Sequence, residues 1–98
     1  MRILTELEAY RDRLMERAAA FPQTSESELA RDLAQCEAQV ALLEKGVEAL
    51  RIRLAENPPQ DADGTEALQH RLAIQDQMRE LTAAYAEVLR RHLAQRTS

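Results

Sequence analysis

Few residues in this chain have the side-chain chemistry of a catalytic or metal-binding site. Its 98 residues include one cysteine, Cys36, and two histidines, His70 and His92. A covalent enzyme needs a nucleophile beside a base, and a closed zinc site needs four ligands such as Cys and His. Cys36 falls at an apolar repeat position, which favours a small buried side chain over a nucleophile. We therefore expect no catalytic residue, no metal site and no cofactor.

The remaining polar candidates fit structural roles better than chemical ones. Ser25 is followed three residues later by Glu28, a pattern typical of a helix N-cap. His70 follows Glu66 by one helical turn, but the chain has no second such pair to build the di-iron site of a helical bundle. His92 lies on an apolar stripe near the chain end, where a histidine packs at the edge of a core. The sequence thus predicts a protein that is not an enzyme.

The best candidate for binding an anion is a group of arginines near the end of the sequence: Arg90, Arg91 and Arg96. Guanidinium groups bind phosphates, nucleic acids and acidic proteins. However, the net charge is −4 and the sequence has no long basic run, so nucleic-acid binding is disfavoured. Cations also stabilise the carboxyl end of a helix. We expect a solvated helix end here, with binding of nucleic acid or a small anionic ligand as the alternative.

The strongest pattern in the chain is an apolar repeat that runs from residue 29 to residue 54. Its members are spaced alternately by four and three positions, which keeps one side of a helix facing a partner helix. This seam consists of Leu29, Leu33, Cys36, Val40, Leu43, Val47, Leu50 and Leu54. The repeat predicts a long, coiled-coil-like helix.

A second apolar face lies on the opposite side of the same helix. At 100° per residue, its members point away from the seam: Ala38, Leu42, Ala49 and Ile52. A helix that is apolar on two sides is usually sandwiched between neighbours. We expect one of the two surfaces to contact the following helix, and the other to contact the N-terminal helix or another subunit.

Proline and capping signals set the element boundaries. The predicted elements are a helix over 3–21, a helix over 26–56, a loop over 57–65 and a helix over 66–95. Pro22 ends the first helix, and Thr65 or Asp63 is expected to cap the third. Gly46, inside the second helix, fits either a close helix crossing or a tolerated glycine.

Together these features predict a single all-α domain, 1–98, with three helices per chain: a long antiparallel helical hairpin and an N-terminal helix. Aromatic residues make up only 3% of the chain, and Trp is absent. A small core of Ala, Leu and Val buries little area per residue, which favours assembly into an oligomeric helical bundle. The N-terminal helix is expected to pack on its own chain or to swap between chains.

The predicted function is that of a protein–protein interaction module, such as an adaptor, an assembly subunit or a small helical chaperone or inhibitor. Its expected partners are a second copy of the chain and another protein. No apolar run approaches the ~18 residues of a membrane span, and no apolar signal segment opens the sequence. We therefore expect no membrane insertion and a cytoplasmic location. The preference for arginine over lysine favours a bacterial or phage origin.

Overall fold

A computed structural model of the chain contains three α-helices and one short 3₁₀ turn. It describes the backbone of residues 2–97 and the side chains of residues 5–96. The elements are α1, Arg2–Ala19; the 3₁₀ turn, Phe21–Gln23; α2, Glu26–Glu56; and α3, Ala62–Thr97. Within the described backbone no residue is in a β-strand. The predicted all-α class is confirmed.

α2 begins and ends where the sequence predicts. The Ser25 hydroxyl oxygen accepts a hydrogen bond from the backbone N–H of Glu28 at 3.2 Å, so Ser25 caps the start of the helix. At the other end, the Asn57 N–H still donates to the Arg53 carbonyl at 2.9 Å. Pro58 has no N–H with which to continue the helical hydrogen bonds, and the helix therefore stops.

α3 begins at Ala62, not at residue 66, so the assignment of its N-cap to Thr65 or Asp63 is wrong. The cap is Asp61, whose carboxylate oxygen Oδ1 accepts a hydrogen bond from the Gly64 backbone N–H at 3.0 Å. The predicted loop over 57–65 accordingly shrinks to 57–61, and the helix continues to Thr97 rather than to residue 95.

The two glycines lie where another segment comes close to a helix. A Cβ atom on Gly46 would be 2.8 Å from the Gln75 side-chain oxygen, and one on Gly64 would be 2.8 Å from the Pro59 Cβ. Both glycines have helical rather than left-handed backbone. Gly46 therefore marks a close approach of α3 to α2, and Gly64 lets the loop pack against the first turn of α3.

α1 ends at Ala19, two residues before the predicted position. Phe21 lies instead in the 3₁₀ turn, with its ring almost completely buried. This is the result of Pro22, which disfavours α-helical backbone in the residue before it. The Thr24 hydroxyl then donates to the Ala20 carbonyl at 2.8 Å and tightens the link to α2.

α3 is the central helix of the fold. It forms an antiparallel hairpin with α2, because Tyr85 near its end contacts Asp32 near the start of α2. α1 packs against α3 rather than along α2. It runs parallel to α3, because Leu7 near its start lies beside Ile74 and Phe21 just after its end packs against His92. The Cα atoms span 55 × 27 × 15 Å, as expected for a flat layer of helices with α3 in the middle.

The buried core lies at the end of the hairpin where all three helices meet. It consists of Leu14, Phe21, Leu29, Cys36, Tyr85, Ala86 and Leu89. The other end of the hairpin, residues 48–56 and 62–73, we call the distal arm. Every residue of the distal arm is half-buried or exposed. Two helices alone cover each other on one side only, so the arm has no core of its own.

Candidate functional site

The second apolar face of α2 is open to solvent. The side chains of Leu42 and Ile52 are 66% and 47% exposed, and Ala38 and Ala49 are exposed beside them. We call these four residues the outward face. The expected cover by the N-terminal helix is absent among the described residues, because α1 packs against α3. The outward face is therefore the candidate contact surface of the molecule.

The seam, in contrast, is used by the hairpin itself. Its buried members are Leu29, Cys36 and Val47. Its half-buried members are Leu33, Val40, Leu43, Leu50 and Leu54. These side chains point towards α3, so the seam belongs to the interior of the chain and not to a surface that a partner can reach.

A polar cluster joins the three helices beside the core. The Asp32 carboxylate accepts a hydrogen bond from the Tyr85 hydroxyl at 2.5 Å and also pairs with the guanidinium of Arg17. The Arg17 guanidinium carbon lies 4.7 Å from the centre of the Tyr85 ring, a cation–π contact. We call these three residues the Asp32 cluster. Because each residue comes from a different helix, the cluster fixes α1 on the hairpin.

Sequence reasoning missed the Asp32 cluster. Neither Asp32 nor Tyr85 is among the candidate site residues that the sequence pattern indicates. The available signal was an acidic residue within one helical turn of two seam residues, Leu29 and Cys36. A carboxylate at the border of an apolar seam needs a hydrogen-bond donor from a neighbouring helix, since burial without one is costly.

A second polar link between α1 and α3 lies nearer the start of α1. The Thr82 hydroxyl is only 2% exposed and donates to the Met78 carbonyl at 2.7 Å. Its single proton is thereby used, so the Tyr10 hydroxyl donates to the Thr82 oxygen. This bond ties the middle of α1 to α3 and satisfies both hydroxyl groups.

Cys36 is a core residue with a weakly acidic thiol. Burial raises the pKa of the Cys36 thiol above its ordinary value, and the negative charge of Asp32 raises it further. The sulfur lies 3.7 Å from the Asp32 carboxylate. A raised pKa lowers the fraction of reactive thiolate at neutral pH, so the side chain is poorly suited to nucleophilic attack.

The C-terminal arginines are engaged within the molecule. Arg90 donates to a Glu87 carboxylate oxygen at 2.5 Å, and Arg91 donates to the other oxygen of Glu87 at 3.1 Å. Arg96 donates to the Thr24 carbonyl at 2.6 Å and so attaches the end of α3 to the link before α2. The three arginines therefore do not converge on one open anion site.

The two histidines also lie apart. The His92 ring packs against Phe21, with ring centres 5.2 Å apart, and its Nε2 atom is buried with no hydrogen-bond partner among the described residues. His70 is exposed on the distal arm. Within the described part of the chain, no group of three His, Cys, Asp or Glu side chains is arranged to hold a metal ion.

Besides the outward face of α2, an apolar groove lies between α1 and α3. It is a shallow groove of about 210 Å³, and its rim includes Met15 and Val88, which are 62% and 50% exposed. Its floor includes Leu14 and Tyr85, which are buried in the core. Sequence periodicity does not reveal this groove, because the pattern of α1 and α3 does not determine how the two helices are rotated against each other.

Comparison with protein-family models, with curated proteins and with solved structures finds no match for this chain. Among the helices described here, none is long and apolar enough to cross a membrane. The argument for function therefore depends on the surfaces of the molecule alone.

Proposed function

We propose that this chain is a non-enzymatic protein–protein interaction module, acting in the cytoplasm, that binds partner helices through the outward face of α2. Its partner is a second copy, another protein, or both in turn. Adaptor, assembly-subunit and chaperone or inhibitor roles all use such a surface. An amphipathic helix in the partner would pack its apolar side against the outward face, as in other helix–helix recognition.

One observation supports this proposal most strongly: α2 is apolar on two sides, and the fold covers only one of them. Single exposed apolar side chains are normal on a protein surface. The outward face differs because Ala38, Leu42, Ala49 and Ile52 follow one line at heptad spacing, interrupted by Lys45, whereas scattered side chains do not. Small residues alternate with large ones along this line, so a partner helix can approach closely.

The alternative function, binding of nucleic acid or a small anion through the arginine group, has less support. Arg90 and Arg91 share the single carboxylate of Glu87, Arg90 also lies 3.9 Å from the Glu37 carboxylate, and Arg96 is bonded to a backbone carbonyl. A ligand would have to displace these contacts. The alternative stays an untested hypothesis, and we propose the helix-binding function instead.

The proposal predicts that charge on the outward face abolishes association and leaves the fold intact. In the double variant Leu42→Glu/Ile52→Glu, two carboxylates would have to be buried in any complex, which is prohibitive without a partner charge. The native size of the protein, measured by size-exclusion chromatography of extracts from the cells that produce it, is expected to fall to that of a single chain.

A matched control is the double variant Ala9→Glu/Ala73→Glu, which adds the same charge at exposed alanines of α1 and α3. This control is expected to elute with the wild-type protein. Circular dichroism should give the same helix content for all three proteins. An unchanged elution position for the Leu42→Glu/Ile52→Glu variant would contradict the proposed function.

A further inference from the structure

The distal arm is the part of the fold in which a bound partner would bury the most additional surface. Among the described side chains, those of residues 5–96, α1 reaches along α3 as far as Ile74, which lines a pocket with Leu7 and Tyr10. Beyond this point the described side chains of α2 and α3 have only each other, and the arm contains no fully buried side chain. The outward face extends from the three-helix end at Ala38 to the distal arm at Ile52. A helix bound along it would therefore cover the arm.

We propose that the occupant is the α2 helix of a second copy, packed antiparallel against the outward face. This inference rests on the proposed function and specifies its partner. Leu42 and Ile52 are the two large residues of the face, and a two-fold axis midway between them, at the level of Val47, places each against the other. The same axis places Lys45 against Ala49 of the second copy, so a long side chain meets a small one.

Charges on and beside the face favour this antiparallel arrangement. Lys45 and Glu48 are exposed, and neither forms an ion pair with any described residue. When α2 is plotted at 100° per residue, Lys45 lies on the outward face itself, between Ala38 and Ile52, and Glu48 lies just outside the face on the side of Ile52. Across the two-fold axis, Lys45 of one copy lies beside Glu48 of the other, and this pair occurs twice. A parallel arrangement would instead place Lys45 beside Lys45, and charges next to a helix interface determine its orientation.

The size of the contact sets the expected affinity. A contact of one helix with one helix buries little more than four apolar side chains per copy. Its buried area is at or below the smallest area of specific interfaces, about 1,200 Å² for both copies together. We therefore expect a dimer with a Kd on the order of micromolar. Over that concentration range the mass measured by sedimentation should rise from 11.1 kDa towards twice that value.

Cysteine cross-linking tests the orientation with the purified full-length chain. In a Cys36→Ala background, chains carrying Leu42→Cys are mixed with chains carrying Ile52→Cys, and one of the two bears a tag. The antiparallel pair brings these cysteines together, so disulfide-linked mixed dimers should form rapidly. Two Leu42→Cys chains should link slowly, since their α carbons are ten residues, or about 15 Å, apart along the axis, far beyond the ~6 Å of a disulfide.

Exchanging the charges of Lys45 and Glu48 tests the same arrangement. Cys36 is unchanged in these variants, so the result does not depend on whether the fold tolerates Cys36→Ala. Either Lys45→Glu or Glu48→Lys alone should raise the Kd by about fivefold, because two ion pairs become repulsive contacts. The double variant Lys45→Glu/Glu48→Lys restores complementary pairs and should bring the Kd back to within about twofold of wild type.

The outcomes separate this inference from the proposed function. Faster linking of Leu42→Cys to itself would overturn the antiparallel dimer in favour of a parallel one. A purified chain that stays at 11.1 kDa at all concentrations would overturn self-pairing altogether. If its native size in extracts still depended on Leu42 and Ile52, the proposed function would stand with another protein as partner. If that dependence were also missing, both would fail.

Discussion

Replacement of Leu89 by alanine is expected to lower the free energy of unfolding by about 2–5 kcal/mol. Leu89 is 0% exposed and lies in the core where α1, α2 and α3 meet. Its removal loses the transfer free energy of the side chain and leaves a cavity. Leu14 and Phe21 are held by α1 and the 3₁₀ turn, so the site has little freedom to collapse.

The adjacent residue provides the control. Val88→Ala removes a side chain that is 50% exposed on the same helix, and its effect should stay near or below about 0.5 kcal/mol. Both variants are compared by urea unfolding at one fixed protein concentration, because association would add to the apparent stability. Equal effects of the two substitutions would mean that the three helices do not meet as described.

Replacement of Asp32 by alanine is expected to lower the free energy of unfolding by about 2–3 kcal/mol. The carboxylate is 19% exposed and accepts hydrogen bonds from the Tyr85 hydroxyl and from Arg17. Its loss leaves the Tyr85 hydroxyl without an acceptor in a nearly buried position. The Arg17 side chain is 47% exposed and can turn to water, so it adds less to the cost.

Asp12→Ala is the matched control for this substitution. Asp12 also lies in a helix and pairs with an arginine, Arg11, but its side chain is 60% exposed. Helix propensity changes equally in the two variants, and an exposed ion pair contributes about 0–1 kcal/mol. If Asp32→Ala and Asp12→Ala had the same effect in urea unfolding, the Asp32 cluster would not hold α1 on the hairpin.

The Asp32 cluster also predicts a pH dependence at alkaline pH. Burial raises the pKa of Tyr85 above its ordinary value of 10.0, and the hydrogen bond to Asp32 raises it further. The stability that neutral Tyr85 contributes is therefore fully present below pH 10 and is lost progressively as the pH rises above it. Between about pH 9 and pH 11 the wild-type protein should lose more stability than the Tyr85→Phe variant.

Much of the fold could be predicted because local signals and apolar periodicity agree. The bounds of α2 follow from the Ser25 cap and from Pro58, which act on the backbone next to them. The predicted loop over 57–65 places the start of α3 too late, because it includes Gly64, a residue type that is common in turns. In the folded chain it is helical, and its missing side chain makes room for Pro59. Sequence alone does not distinguish these two uses of glycine.

Periodicity also does not identify the neighbour of each face. The seam of α2 points inward and the outward face does not, and the central helix is α3, which contacts both of the others. The Asp32 cluster depends on three side chains that are far apart in sequence, so no spacing rule could bring them together. The outward face was recognised from its pattern. That α1 leaves it uncovered is known only from the packing.

The most direct measurement of the central claim is site-specific photo-cross-linking in the cells that produce the protein. A benzophenone amino acid replaces Leu42 on the outward face or, as the control, Ala9 on the exposed side of α1. If the outward face binds a partner, irradiation gives a discrete covalent product from position 42 and none from position 9. No product from position 42, or the same product from both positions, would contradict the assignment of this face as the contact surface.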